Sequence, residues 1–205
     1  MALTHPIGFD VDRLRSAVRG MYRELAHDPA ANVHFHCGPA YAVERLGYDP
    51  DELAQLPSGA TEAFAGVGNP FRMGALGPAE TVLDVGCGAG TDLLLAARRV
   101  GPGGRALGVD MTTAMRDRAR QNARAMALRG RIDVRPGLAE DLPVNDESVD
   151  VVQSNGVLNL TTDKVRAFAE IRRVLRPGGR LHLADVTLDA DLHEHERRDP
   201  ALWAG

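Results

Sequence analysis

The spacing of apolar residues changes near residue 78. Between Asp10 and Ala26, Val11, Leu14, Val18, Met21 and Leu25 recur at three- and four-residue steps with arginines between them. That pattern predicts an amphipathic helix, and Asp28-Pro29 breaks it. Residues 37–70 are rich in glycine and proline and support only short helical patches, over Ala40–Leu46 and Asp49–Leu56. From Thr81 onward, short apolar runs alternate with longer periodic ones. Strands are expected over Thr81–Val85, Arg105–Val109, Ile132–Val134, Val149–Gln153 and Arg180–Val186. Helices are expected over Asp92–Val100, Thr112–Arg129 and Asp163–Leu175, the last stopped by Pro177-Gly178-Gly179. Strands joined through helices need crossover connections, so the fold class is α/β, with a mainly parallel sheet and helices on both faces. The division is residues 1–77, a helical and loop segment, and residues 78–205, the sheet domain.

Such sheets hold ligands beyond the carboxyl ends of their strands, where strand order reverses. The strongest local signal sits at one such end: Asp84-Val-Gly86-Cys87-Gly88-Ala-Gly90-Thr-Asp92. Alternate glycines after a strand let the backbone turn sharply and approach a ligand, and the following helix offers unpaired N–H groups. The spacing departs from the dinucleotide pattern, because the third glycine, Gly90, comes one residue early. Asp110 closes the second strand, where a carboxylate can accept both hydroxyls of a ribose. That feature serves nicotinamide and adenosyl ligands alike. Asp110 can also be read as an acid favoured at a helix start.

Read together, Asp84 to Gly90, Gly108-Val-Asp110, Leu142-Pro143 before Ser148-Val-Asp150, and Leu175-Arg-Pro-Gly-Gly179 resemble the class I S-adenosylmethionine-dependent methyltransferases. The resemblance implies a Rossmann-like, doubly wound sheet and S-adenosyl-L-methionine as cofactor. By this likeness Gly86, Cys87, Gly88 and Gly90 form the loop under the methionine part, and Asp84 helps hold the ammonium. Asp110 grips the ribose, and Met111 packs on the adenine. The loop from Gly137 through Ala139 to Glu140 flanks the adenine. Leu138 stands where many relatives carry an acid, so Glu140 or backbone groups take that role. Ser154 and Asn155, after the fourth strand, sit beside the cofactor. Asn155 is the candidate catalytic residue, orienting the acceptor or supporting the methionine, or else a cap for the turn before Val157. The N-terminal segment, with Tyr22 and Gly66–Phe71, reads as a lid over the site or as a packing appendage.

A narrower likeness, to bacterial arsenite methyltransferases, runs from about Tyr22 to the end. It is carried by Gly47-Tyr48, Gly68-Asn69-Pro70, Gly108-Val-Asp-Met-Thr112, Ser154-Asn155, Asn159-Leu160 and Ala184-Asp185-Val186. That family continues past Leu202-Trp203-Ala204-Gly205, and two more strands belong to its sheet. The sequence therefore reads as truncated, or else its sheet ends early with an exposed edge. The family binds arsenite with cysteines where this chain has Val67 and Gly156, and an upstream cysteine pair is here His36-Cys37. Soft trivalent arsenic wants thiolates, so the likeness carries the scaffold and cofactor and leaves the metalloid site behind.

His34-Phe-His36-Cys37 could place two imidazoles on one side of an extended chain, but no second ligand pair stands at a recognised spacing. The expectation is no metal, and His193 and His195 read as a solvated helix start. The formal charge of −4 disfavours duplex nucleic acid and anionic membranes as partners. Two cysteines make no disulfide framework, which fits a cytoplasmic setting. No apolar run approaches the ~18 residues of a membrane span. The function expected is methyl transfer to a small molecule. The alternatives are a nicotinamide-dependent oxidoreductase and a non-catalytic, cofactor-binding relic.

Overall fold

A computed structural model of the protein describes residues 10–29, 35–128 and 130–187. Five parallel strands stand in the order β3-β2-β1-β4-β5. They are β1 (Thr81–Val85), β2 (Arg105–Asp110), β3 (Ile132–Pro136), β4 (Val149–Asn155) and β5 (Leu175–Ala184). Strand order reverses between β1 and β4, which places the crevice beyond the ends of those two strands. Among the described residues β5 is an edge strand.

Ahead of the sheet come helices α1 (Val11–His27), α2 (Pro39–Glu44), α3 (Pro50–Ala54) and α4 (Ser58–Thr61), then a 3₁₀ turn over Pro70–Met73. Within the sheet domain lie α5 (Thr91–Arg99), α6 (Thr113–Ala125) and α7 (Lys164–Val174). Helix α1 starts where Asp10 accepts the N–H groups of Asp12 and Arg13 at 2.8 and 3.2 Å, an N-cap. It buries Leu14, Val18 and Leu25 at the predicted spacing.

Tyr48, Leu53, Leu56, Phe64 and Phe71 pack in one apolar cluster with Leu93 to Ala97 of α5 and with Val82 and Val151 of the sheet. Residues 42–71 therefore share the core of the sheet and cover one of its faces together with α5 and α6. The opposite face carries Leu83, Val85 and Val152 against Ala167, Ile171 and Val174 of α7.

Several boundaries differ from the expectations. Helix α6 ends at Ala125, short of the expected Arg129, which lies outside the described residues. Ala127 takes φ +55°. The N–H groups of Ala127 and Leu128 bond the carbonyls of Arg124 and Ala123 at 3.0 and 2.9 Å. That is a Schellman closure with alanine in the position glycine usually holds. Helix α7 stops at Val174. Strand β5 begins at once with Leu175 and takes in Pro177–Gly179 through a register irregularity between Val149 and Val151. It ends at Ala184, so Val186 lies beyond it and is exposed. Strand β4 runs two residues further than expected, so Ser154 and Asn155 belong to the strand rather than to the loop after it.

Candidate active site

A cleft of about 1070 Å³, its open mouth included, lies at the reversal point of the sheet. Its floor is the loop from β1 to α5 with the end of β2, and its walls come from α1, the segment 63–66, the loop 137–140 and residues 155–162. Of the residues singled out by sequence, Asp84, Gly86, Cys87 and Gly88 lie on this surface, as do Asp110 and Met111, Ala139 and Glu140, and Asn155. Gly90 and Ser154 do not. Gly90 is the N-cap of α5 at φ +98°, where a Cβ would stand 3.3 Å from that of Ala119, so it lets α5 and α6 approach closely. Ser154 is fully buried and donates its hydroxyl to the Val85 carbonyl at 3.3 Å, because strand alternation turns it away from the face of Gln153 and Asn155.

The loop geometry follows from its glycines. Gly86 has φ +73°, and a Cβ there would meet Val157 Cγ2 at 2.3 Å. Gly88 has φ +50° with open space where a Cβ would stand. Asp110 fixes the loop from below, accepting the Gly88 N–H at 2.9 Å and the Thr112 N–H at 2.7 Å. The Cys87 thiol is buried, and burial followed by the nearby Asp110 pushes its pKa well up, so it stays a thiol.

Carboxyl groups dominate the electrostatics. Burial, then the neighbouring Asp92, pushes Asp84 well above the usual carboxylate range. Asp84 Oδ2 is a buried oxygen with no hydrogen-bond partner. Burial raises Asp110 too, opposed by the N–H groups of Thr112 and Gly88 and by the Arg116 charge. Burial lifts Asp92 to about 6, against bonds from Asn155 and Tyr48 that favour its charged form. Three acids at the floor of one cleft make it a site for a cation.

Asn155 holds the wall together. Its Oδ1 accepts the Val67 and Gly68 N–H groups at 2.8 and 3.1 Å. Its Nδ2 donates to the Gly68 carbonyl at 2.9 Å, Asp92 Oδ2 at 2.9 Å and the Tyr48 hydroxyl oxygen at 3.1 Å. Tyr48 in turn donates to Asp92 Oδ1 at 2.7 Å. The turn before Val157 is not what the side chain caps; it ties the loop at Val67-Gly68 to the sheet. Space there is tight, since a Cβ on Gly66 would lie 2.3 Å from Asn155 Nδ2.

On the opposite wall, Glu140 accepts from the Thr162 N–H at 3.0 Å, the Thr162 hydroxyl at 2.8 Å and Arg15 of α1 at 3.4 Å. Burial raises the Glu140 pKa, but the Thr162 bonds and Arg15 outweigh it, and the net shift is downward. Tyr22 of α1 also lines the cleft and stacks on Phe35 with ring centroids 5.9 Å apart. Sequence reasoning missed Arg15, Tyr48 and Thr162, and gave Asp92 no role.

Cys37 does not line the cleft, and His36 packs on Tyr41 at 5.3 Å between ring centroids. His34, His193 and His195 lie outside the described residues. Among the described residues no three His, Cys, Asp or Glu side chains gather as a metal site, and no helix is long and apolar enough to cross a membrane.

The residues present fit an adenosyl sulfonium with an ammonium at its end. The unpartnered Asp84 oxygen suits the ammonium. The open space over Gly88 admits a backbone-hugging chain, and Asp110 stands at the end of β2 where ribose hydroxyls bind.

A family described as methyltransferase domain matches residues 76–205. The arsenite methyltransferase of Halobacterium salinarum is 48% identical over 81% of this chain and 42% of its own length. That of Aquipseudomonas alcaligenes is 39% identical over 60% of this chain and 37% of its own. The chain thus spans about two fifths of these relatives. Among solved structures, the arsenic(III) S-adenosylmethionine methyltransferase of Chlamydomonas reinhardtii superposes with a TM-score of 0.68 at 37% identity, covering 75% of this chain and 55% of that one. The glycine loop, the acids around it, the parallel sheet and these likenesses agree: the chain belongs to the class I S-adenosylmethionine-dependent methyltransferase family.

Proposed function

We propose that the chain methylates a small molecule from S-adenosylmethionine in the cytoplasm, and that it recognises its acceptor without paired thiolates. The observation that carries the second half is the meeting of Val67 and Gly156. A Cβ on Gly156 would lie 3.2 Å from Val67 Cγ1, so the two positions at which the likeness to arsenite methyltransferases implies cysteines face each other, and both are apolar here. The chain's two cysteines are Cys37, which does not line the cleft, and Cys87, which lines it from within the glycine loop as a buried thiol, so no pair of thiols faces the acceptor.

The sulfonium supplies a methyl group already activated for transfer. Asp84 would hold the ammonium, Asp110 the ribose, and Met111 and Ala139 the adenine. Phe64, Val157 and Leu160 give the cleft apolar walls that exclude water. Holding the acceptor in line with the methyl group can supply roughly 7–11 kcal/mol of the barrier. Asn155 is a positioning residue: it fixes the wall against which the acceptor is aligned. Helix α1, pinned to Glu140 through Arg15, and the loop at Val67-Gly68, pinned by Asn155, cover the cleft from its two sides.

Calorimetry with S-adenosylmethionine tests the reading directly, and a ligand at ~100 times Kd should raise stability by about 2.7 kcal/mol. No heat with this compound, or tight binding of a nicotinamide dinucleotide in its place, would overturn it. Arsenite gives a second test. The unaltered chain should not methylate it, whereas Val67→Cys with Gly156→Cys should bind it, despite strain of about 1 kcal/mol or more from a side chain at φ +69°. Clear arsenite turnover by the unaltered chain would refute the thiol argument.

A further inference from the structure

Three buried polar side chains cross the sheet in one row. Asp84 of β1 pairs in register with Gln153 of β4, and Gln153 pairs with His182 of β5. Register partners in a parallel sheet project from the same face at neighbouring strand spacing. Asp84 is 3%, Gln153 0% and His182 3% exposed. The row holds four buried polar atoms without a hydrogen-bond partner: Asp84 Oδ2, Gln153 Nε2, Gln153 Oε1 and His182 Nδ1.

Gln153 interrupts the run Val149-Asp-Val-Val152, where an aliphatic residue would pack at no polar cost. Taken across the strands, the Gln153 amide can donate from Nε2 to the Asp84 carboxylate and accept at Oε1 from His182 Nδ1. Only one end of the row opens on the cleft, at Asp84. The other end closes beside Gly74, where a Cβ would stand 3.4 Å from His182 Nε2.

We propose that Gln153, backed by His182, is a positioning residue for the amino end of the cofactor: its Nε2–H faces Asp84 and its Oε1 faces the imidazole, so that the row holds the Asp84 carboxylate toward the cleft. This rests on the cofactor reading above and extends it two strands beyond the cleft, to residues the ligand does not touch. The amide favours the charged form of Asp84, against burial and against Asp92 of α5 and Asp110 of β2. Asp84 also lies near Tyr48 and Cys87, whose pKa values it raises. Burial, then Arg180, lowers the His182 pKa, opposed by Glu80, so the imidazole is neutral and can pass one N–H to Gln153.

Two ligands separate positioning from a general packing defect. S-adenosylhomocysteine carries the amino-acid tail, and 5′-methylthioadenosine has the same nucleoside and thioether without it. Their affinities are measured between about pH 5.5 and pH 8.5 on the unaltered chain, Gln153→Met, His182→Leu and His182→Gln. Gln153→Met should weaken S-adenosylhomocysteine about tenfold near neutral pH and leave methylthioadenosine unchanged. The deficit should shrink as pH rises, because without the amide Asp84 ionises at higher pH. His182→Leu should show the same pattern at smaller size, and His182→Gln, which keeps an N–H, should restore affinity. Should Gln153→Met fail to fold, the two His182 variants carry the comparison. Equal losses for both ligands, or a pH profile unchanged in the variants, overturn the proposal. If the unaltered chain binds neither ligand, the cofactor reading itself fails.

Discussion

Titration of S-adenosylmethionine into a Gly86→Val, Asp110→Ala double variant will give no heat at concentrations that saturate the unaltered chain. Gly86 contributes through space and backbone together. At φ +73° any side chain is strained, and its first carbon would lie 2.3 and 2.8 Å from the two Val157 methyls. Valine must therefore push Val157 into the cleft or lift the loop away from the Val109 carbonyl, which the Gly86 N–H now holds at 2.7 Å. Asp110 contributes through charge. Two hydrogen bonds to a carboxylate are worth roughly 3–6 kcal/mol together, or ~10²–10⁴ in affinity. Asp110→Ala also strips the acceptor from the Gly88 and Thr112 N–H groups, which loosens the loop. Asp110→Asn separates these effects, since its amide oxygen can still serve one of the N–H groups while the charge is gone. A double variant that melts cooperatively and binds the cofactor with unaltered affinity would sink the assignment of this cleft.

Much of this site is visible in the sequence because it is local. The glycine loop, its leading Asp84 and the closing Asp110 lie within twenty-seven consecutive residues, and strand ends set their positions. β1 runs from Thr81 to Val85, the bounds its apolar run predicts. What sequence reasoning missed is long-range or alternating. Arg15 meets Thr162 across 147 positions and Tyr48 meets Asn155 across 107, contacts that only the folded chain creates. Ser154 looked like a cleft residue because its neighbour Asn155 is one, but period-two alternation sends adjacent strand residues to opposite faces. The overrun of α6 has a similar cause. An alanine at φ +55° ends it, where a reader looks for glycine. Gln153 did leave a signal, as the amide at the end of an apolar strand run; its significance depends on register with Asp84 and His182, which periodicity does not supply.

Replacing Asn155 with leucine should destabilise the chain by about 2–4 kcal/mol in urea unfolding, and by more at pH 8 than at pH 5. The size follows from the partners left behind. Val67 and Gly68 N–H lose their acceptor, and Asp92 loses one of its two side-chain donors while buried. The pH dependence follows from Asp92. Its folded-state pKa, about 6, stands above the ~3.9 of an unfolded aspartate, so the folded chain binds the extra proton between those values. Stability from this group is therefore greatest in acid and declines as pH rises from about 4 through about 6. The Asn155 amide lowers the Asp92 pKa by bonding the charged form, so the bond matters most once that form is populated. Below pH 5 the leucine variant loses only neutral hydrogen bonds; above pH 7 it strands a carboxylate. The cofactor should bind this variant more weakly as well, because the loop at Val67-Gly68 is no longer tied to the sheet. An equal stability loss at both pH values would show that Asn155 does not act through the Asp92 carboxylate, and unchanged cofactor affinity would show that the tied loop forms no part of the binding wall.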